Sequence, residues 1–365
     1  MARAAYGDSD PKVAAILLRL GSAQQAVGDY NAALGLFRQA HDIAAASFGE
    51  NSQEVAASVN NLGTVLRDLG RLQEAEACFR QSLSVDEREF ESEHPRVARG
   101  LNNLAGLLQS MGQQSEAEPL LRRALMIDEK VFGSKHPNVA VTLNNLVQLL
   151  LATGRLTEAE PLMRRALAID ESLFGSEHPS VSRDLNNLAG LLQLQHRNDE
   201  AEPLFRRALA IDEQTFGPNH PTVANRLNNL GGLLRDTGRL DEALRLFERS
   251  LTISEAQLGQ DHPAVAVALN NFGSLLGDTG RAKESVSYFR RALTIDRRVF
   301  GPGHAEVAVT LNNLAGALVS LGINDEALSA LEEAQNILVE TLGPAHKFTQ
   351  AVKANVTSLS SKYTL

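Results

Sequence analysis

One position in this chain returns every 42 residues: Leu20, Leu62, Leu104, Leu146, Leu188 and Leu230, then Phe272 and Leu314. No gap or insertion breaks the register, so eight units run 11–52, 53–94, 95–136, 137–178, 179–220, 221–262, 263–304 and 305–346. A unit of this length is one supersecondary element that buries its apolar face only against its neighbours, so the chain must fold as a stacked array. In seven of the units two adjacent asparagines precede the leucine, from Asn60–Asn61 to Asn312–Asn313. The first unit has Leu18 and Arg19 there.

Each unit reads as two helices. In the third, Val97, Leu101, Leu104 and Leu108 fall at i, i+4, i+7 and i+11, an apolar helical stripe. Pro95 suits the first helical position, where its missing N–H costs nothing. Gly112 ends this helix, and the spacing of Ser115 and Glu118 predicts a capping box for the second. Ala117, Leu121, Ala124 and Ile127 supply the second helix's inner face, and Pro119 falls at the end of its first turn. Phe132-Gly133 closes it with a C-terminal cap. Short connections make the two helices an antiparallel hairpin, and stacked hairpins make an all-α solenoid.

Leu104-Ala105, Leu108, Ala117, Leu121 and Ala124 resemble the tetratricopeptide signature of small and large residues. The 42-residue length, with "LNNLA", "EAEPL", "RRAL" and "FG..HP", is similar to the kinesin light chain type, and the resemblance covers essentially the whole chain. It implies a right-handed superhelix whose first helices line a concave groove that takes up an extended peptide. Similar arrays also serve as sensor or scaffold segments of larger bacterial proteins. Residues 6–11, "YGDSDP", align with "FGSKHP" at 132–137, so residues 1–10 read as the remnant of a preceding repeat, from a longer array or a lost ancestral unit. Beyond 346, Phe348, Val352, Val356 and Leu359 share one helical face, which makes residues 347–365 a capping helix and tail.

Composition narrows the setting. Apolar residues make up 43% of the chain, enough for a large core. The single cysteine, Cys78, allows no internal disulfide and fits a reducing compartment. No run of about 18 apolar residues exists to span a membrane, and the start lacks the layout of a signal peptide. A net charge of −9 argues against nucleic acid as the partner. The expectation is a cytoplasmic protein without membrane, nucleic-acid or cofactor partners.

Asparagine costs roughly 0.6 kcal/mol against alanine inside a helix, so seven pairs need an offsetting role. The helical wheel separates the members of a pair. Asn103 turns toward Gly100 and Leu107, the flank where a neighbouring unit packs, and reads as a residue bonding to that neighbour. Asn102 shares a face with Arg99, Gly106 and Gln109, away from the apolar stripe. Asn60, Asn102, Asn144, Asn186, Asn228, Asn270 and Asn312 are therefore the candidate ladder for a peptide main chain, since an amide both donates and accepts. The plainer alternative is that the first helices bond across to one another. Arg67, Arg99, Arg183 and Arg235, with Gln109, Gln148 and Gln193, flank the ladder and suggest an acidic segment as ligand. Asp68, Asp236 and Asp278 stand where they would neutralise those arginines instead. Toward the C-terminus the lining becomes Val267, Ser274, Gly277, Val309, Gly316 and Val319, a patch suited to an apolar side chain.

Other recurring residues read as structural. Seven histidines, from His94 to His346, recur at the period, but hairpins about 10 Å apart cannot share one zinc. Asp10 and Ser52 hold the same position, so the histidines read as helix-start residues. Arg122–Arg123, Arg164–Arg165, Arg206–Arg207 and Arg290–Arg291 face glutamates such as Glu118, Glu160 and Glu202, which predicts a salt-bridged outer face. Cys78 reads as a packed thiol, and His196, near Asp199, replaces an inter-helix glycine. No phosphate loop, zinc motif or nucleophile elbow occurs. The leading expectation is thus a non-catalytic scaffold for a protein or peptide ligand, monomeric or weakly associating end to end. The alternative is a regulatory segment of an effector enzyme such as a protease or NTPase.

Overall fold

The structure, a computed structural model, describes residues 7, 10–27 and 29–361. Among them all regular structure is helical, and the helices pair in sequence order. The pairs are α1 (Pro11–Ala26) with α2 (Tyr30–Phe48), α3 (Gln53–Asp68) with α4 (Leu72–Glu89), α5 (Pro95–Ser110) with α6 (Gln114–Phe132), and α7 (Pro137–Ala152) with α8 (Leu156–Phe174). They continue as α9 (Pro179–Leu194) with α10 (Asn198–Phe216), α11 (Pro221–Asp236) with α12 (Leu240–Leu258), α13 (Pro263–Asp278) with α14 (Ala282–Phe300), and α15 (Ala305–Ser320) with α16 (Asn324–Thr341), before α17 (Lys347–Ser360). The hairpins fall into two units, Met1–Ser176 and Glu177–Leu365, each a solenoid of stacked antiparallel hairpins. The remnant read at residues 1–10 lies largely outside the described residues, as does the tail after 361.

The first helices begin as the histidine register implies. Nδ1 of His94, His136, His178, His220, His262, His304 and His346 accepts a hydrogen bond from the backbone N–H two residues on, at 3.1–3.3 Å. Asp10 does the same with a side-chain oxygen, and Ser52 Oγ accepts from the backbone N–H three residues on, that of Val55. Where a phenylalanine closes the preceding helix the imidazole also stacks on it, with ring centroids 4.1 Å apart for Phe90–His94 and 4.2 Å for Phe132–His136. One ring therefore ties the end of one hairpin to the start of the next. At the other end of α5, Gly112 has φ 75°, and Gln113 N–H donates to Leu108 O at 2.8 Å, the left-handed cap that glycine allows. His196 holds this position between α9 and α10 at φ 59°.

The second helices start differently from expectation. No capping box forms at Ser115: the cap residue of α6 is Gln113, which makes no side-chain cap bond. Glu118 instead accepts from Arg122 at 2.6 Å and Arg155 at 2.7 Å, because two guanidinium groups outbid one backbone N–H for the carboxylate. In five other hairpins the cap residue is itself an arginine paired with a glutamate three residues on, as in Arg71–Glu74 at 2.6 Å and Arg155–Glu158 at 2.7 Å, whereas Asp29 caps α2 by accepting from Ala32 N–H. Pro119 lies inside α6, beyond its first turn, and the helix runs on to Phe132 with the proline exposed.

Core packing follows the inner faces read from the periodicity. Val97, Leu101, Leu104, Leu108, Ala117, Leu121 and Ala124 are at most 2% exposed. Size is traded across two of the hairpins: a Cβ on Gly63 would lie 2.7 Å from the Phe79 ring, and one on Gly231 2.8 Å from Phe247. Where the first helix carries Ala105 in place of glycine, the second carries the smaller Leu121. In the second unit α17 lays Val352 and Leu359 onto the core of α15 and α16, with Phe348 and Val356 half-buried beside them.

Candidate functional site

The paired asparagines bond to one another along successive first helices. Asn103 Nδ2 donates to Asn60 Oδ1 at 2.8 Å, and Asn145 Nδ2 to Asn102 Oδ1 at 3.1 Å. In the second unit Asn229 donates to Asn186 at 2.8 Å, and Asn355, on α17, to Asn312 at 3.1 Å. The second member of a pair thus reaches the neighbouring helix, as its place on the wheel implies. The first member receives that bond, so first helices do bond across to one another. Asn102 also donates to Ala98 O at 3.2 Å and to Thr142 Oγ1 at 2.7 Å, and Asn270 donates to Thr310 Oγ1 at 2.7 Å. Asn186 and Asn228 are buried, and Asn60, Asn102, Asn144, Asn270 and Asn312 are half-buried.

The flanking arginines differ in what they have left to offer. Arg67 pairs with Asp68 at 3.3 Å, Arg183 with Asp184 at 3.0 Å, and Arg235 with Asp278 at 2.5 Å. Arg99 is exposed and has neither hydrogen bond nor ion pair among the described residues. Of the glutamines, Gln193 donates to Asp236 at 2.7 Å and Gln109 to Asn145 O at 3.2 Å, while Gln148 is exposed. Together with Gln25, which donates to Asp68 at 2.6 Å, these side chains tie one first helix to the next.

A row of buried aspartates behind this face went unread in the sequence. Asp86, Asp128, Asp170, Asp212 and Asp296 are at most 5% exposed. The partner stands 14 residues on, in the next first helix: Thr142 donates to Asp128 at 2.8 Å, Thr310 to Asp296 at 2.7 Å, and Arg226 pairs with Asp212 at 2.9 Å. Gly100 holds the partner position of Asp86 and offers nothing. Burial pushes the Asp86, Asp128 and Asp296 carboxyls above their usual range, with the Thr142 and Thr310 hydroxyls opposing the shift at the latter two. The signal in the sequence was an acid after Ile or Val, as in Ile127-Asp128 and Val85-Asp86, returning at the period.

Two cavities open on the asparagine-bearing face. In the first unit a cavity of about 330 Å3 is lined by Arg96, Arg99, Asn102, Asn145, Thr142 and Asp128. In the second unit a cavity of about 500 Å3 has Ser274, Gly277, Asn312, Gly316 and Asn355 around it and Phe289, Leu331 and Leu359 beneath. Val319 also lines it, whereas Val267 and Val309 from the same expected patch do not.

The remaining candidates are structural. Arg122, Arg164 and Arg206 pair with Glu118, Glu160 and Glu202 at i−4, at 2.6–2.9 Å. Arg123 and Arg165 reach back to Glu87 and Glu129 on the preceding hairpin, each at 2.5 Å. Cys78 packs half-buried beside Ala44, Val55 and Val59, and burial pushes its thiol up. Among the described residues no cluster of histidine, cysteine or acids could hold a metal ion, and no helix is long and apolar enough to cross a membrane.

Two tetratricopeptide repeat family models match the chain, one over residues 54–130, 116–172, 138–214, 181–256, 223–298 and 264–338, the other over 13–54. A search of curated proteins returns no match. Among solved structures, a kinesin-light-chain-type chain of nearly identical TPR-like repeats from Podosopora anserina is 27% identical, with 56% of this chain and 98% of that one covered and a TM-score of 0.50. BtubC (BKLC) from P. vanneervenii is 21% identical over 64% of this chain and 92% of its own, with a TM-score of 0.50. The apo form of RapI, 15% identical, covers 79% of this chain and 98% of its own at a TM-score of 0.59. The last two speak to the fold alone.

Proposed function

The chain belongs to the tetratricopeptide repeat family, in the 42-residue form of the kinesin light chain type, and from that premise we propose that it is a non-catalytic scaffold acting in the cytoplasm. Its ligand is an extended peptide segment of a partner protein, held along the asparagine-bearing face with the flanking arginines beside it. The observation that carries this reading is the bonding capacity the ladder keeps in reserve. A side-chain amide has two N–H donors and two acceptor lone pairs. The Asn103–Asn60 rung uses one lone pair of Asn60 and leaves its N–H donors, whereas Asn102 commits both of its own to Ala98 O and Thr142 Oγ1. What is left matches the alternating N–H and C=O groups of an extended main chain, whatever its sequence. Preference for acidic residues then rests on Arg99, the one flanking arginine of the four that makes no ion pair among the described residues, its charge only opposing the rise of the buried Asp86 carboxyl.

The test is a set of variants measured against a captured partner mapped to its binding peptide. Changing Asn102, Asn144, Asn186 and Asn228 together to alanine is expected to weaken binding at least tenfold while the helical circular dichroism stays unchanged. Unaltered affinity with intact helicity removes the ladder from the mechanism. Affinity is also expected to fall as salt rises, since an ion pair in an open groove is screened, and Arg99→Ala should flatten that dependence.

A further inference from the structure

The asparagine ladder does not reach the first hairpin, and the cleft there has a different lining. Leu18 stands where Asn60 and Asn102 stand in the next two repeats, and Ala44 where Asp86 and Asp128 do. Ala15 and Ala57 share the register of Arg99 and Val141. All four line a cavity of about 200 Å3 bounded by α1, α2, α3 and the start of α5. The 330 Å3 cavity is the same cleft two repeats on, where these positions hold Asn102, Asp128, Arg99 and Val141. In that cleft the Thr142 hydroxyl donates to Asp128 across the junction. Here Ser58, at the register of Thr142, donates instead to Val55 O of its own helix, at 2.8 Å. Small apolar side chains thus replace the polar junction and leave space that neither helix fills.

Two charged groups line the same space. Arg96, half-buried at the start of α5, donates one N–H to Gln53 Oε1 at 3.2 Å and lies 5.2 Å over the Phe90 ring. It makes no ion pair among the described residues, although its charge opposes the rise of the buried Asp86 carboxyl. Glu54, exposed in the first turn of α3, has neither hydrogen bond nor ion pair among the described residues. On the outer face such residues pair with one another, as Arg122 and Glu118 do at 2.6 Å. Arg96 and Glu54 share one cavity and stay apart.

We propose that this cavity binds a free amino acid with an aliphatic side chain of the size of leucine. The side chain enters the space between Ala15, Leu18, Ala44 and Ala57, the carboxylate pairs with Arg96 and the ammonium group with Glu54. At about 30 Å3 for a water-sized group, the cavity holds roughly six or seven non-hydrogen atoms. That suits a four-carbon side chain with its Cα and leaves the charged ends beside Arg96 and Glu54. Charge of both signs selects for the zwitterion. A fatty acid lacks the group for Glu54, an amine lacks the group for Arg96, and a residue inside a peptide chain lacks both. The asparagine ladder takes no part in this site.

Equilibrium dialysis of radiolabelled leucine against the full chain tests the assignment. The unmodified chain is expected to bind leucine saturably, and glycine, N-acetylleucine and leucinamide at least tenfold more weakly. Arg96→Gln and Glu54→Gln should each weaken leucine binding at least tenfold. Leu18→Asn/Ala44→Asp installs the residues of the next two repeats and should abolish it. Leucine should also raise the melting temperature of the unmodified chain more than that of R96Q, and melting without ligand reports that each variant is folded. Absence of saturable leucine binding by the unmodified chain overturns the proposal, as does binding that survives both R96Q and E54Q. Leucine binding retained by L18N/A44D overturns the placement in this cavity. N-acetylleucine binding as tightly as leucine overturns the amino-acid assignment, because it leaves Glu54 without a role.

Discussion

A carboxylate that folding removes from water titrates against the stability of the fold, and the buried aspartates make this measurable at a single residue. Burial raises the Asp128 carboxyl above its usual range, so above the unfolded value of about 4 the folded state holds its proton longer than the unfolded state does. Its favourable contribution is therefore present at low pH and is lost as pH rises through the folded value. Asp128→Asn keeps an acceptor for Thr142 and removes the titration. The variant is expected to gain stability relative to the unmodified chain as pH goes from about 4 to 7, read by urea denaturation at each pH. The outer face has the opposite sign. Hydrogen bonds from Arg155 and Arg122 hold Glu118 below the usual carboxylate range, so its contribution is present at neutral pH and lost on acidification. One acid thus works against the fold where the other works for it, and only the structure separates them. In the sequence both are acidic residues on a second helix. What decides is that Asp128 is buried between hairpins, where the Thr142 hydroxyl only partly offsets the loss of water, and Glu118 meets arginines in solvent.

At the scale of the helix, termination is the informative event. His196 occupies the left-handed position that Gly112 and its counterparts hold elsewhere, at φ 59°. His196→Gly is expected to stabilise the chain by about 1 kcal/mol, seen as a higher urea midpoint at unchanged slope. Helix starts and stops were largely legible: the His-Pro starts of α5 and α7 and the Phe-Gly ends of α6 and α8 sit where the register implies. The start of α6 was not, because Ser115-x-x-Glu118 has the letters of a capping box while Glu118 is taken by Arg122 on its own helix and by Arg155 at the cap of α8. The candidate site was legible as a row of positions and not as a set of free groups. The wheel placed Asn103 toward its neighbour, yet whether an amide or a guanidinium remains available depends on a residue 43 positions away, as Arg235 and Asp278 illustrate. Arg99 holds the same repeat position as Arg183, yet only Arg183 has an aspartate, Asp184, beside it in sequence to pair with.

Within each unit a hairpin meets mainly the hairpins next to it in sequence, so stability is a sum of local terms and not the property of one core. Phe247, 1% exposed and packed on Gly231, tests this. Phe247→Ala is expected to cost about 3–5 kcal/mol locally. Hydrogen exchange should accelerate in α11–α13 while α1–α4 keep their protection, and uniform acceleration along the chain would contradict nearest-neighbour coupling. The rungs carry a consequence of another kind. Each joins an asparagine to one 43 positions on, a single residue more than the repeat. An excision of 42 residues therefore brings together two half-rungs that fit, whereas the loss of one residue sets the asparagines on either side of it out of register with each other. Unequal recombination between repeats is in this sense a silent edit for the ladder, and array length is free to vary over generations where local spacing is not.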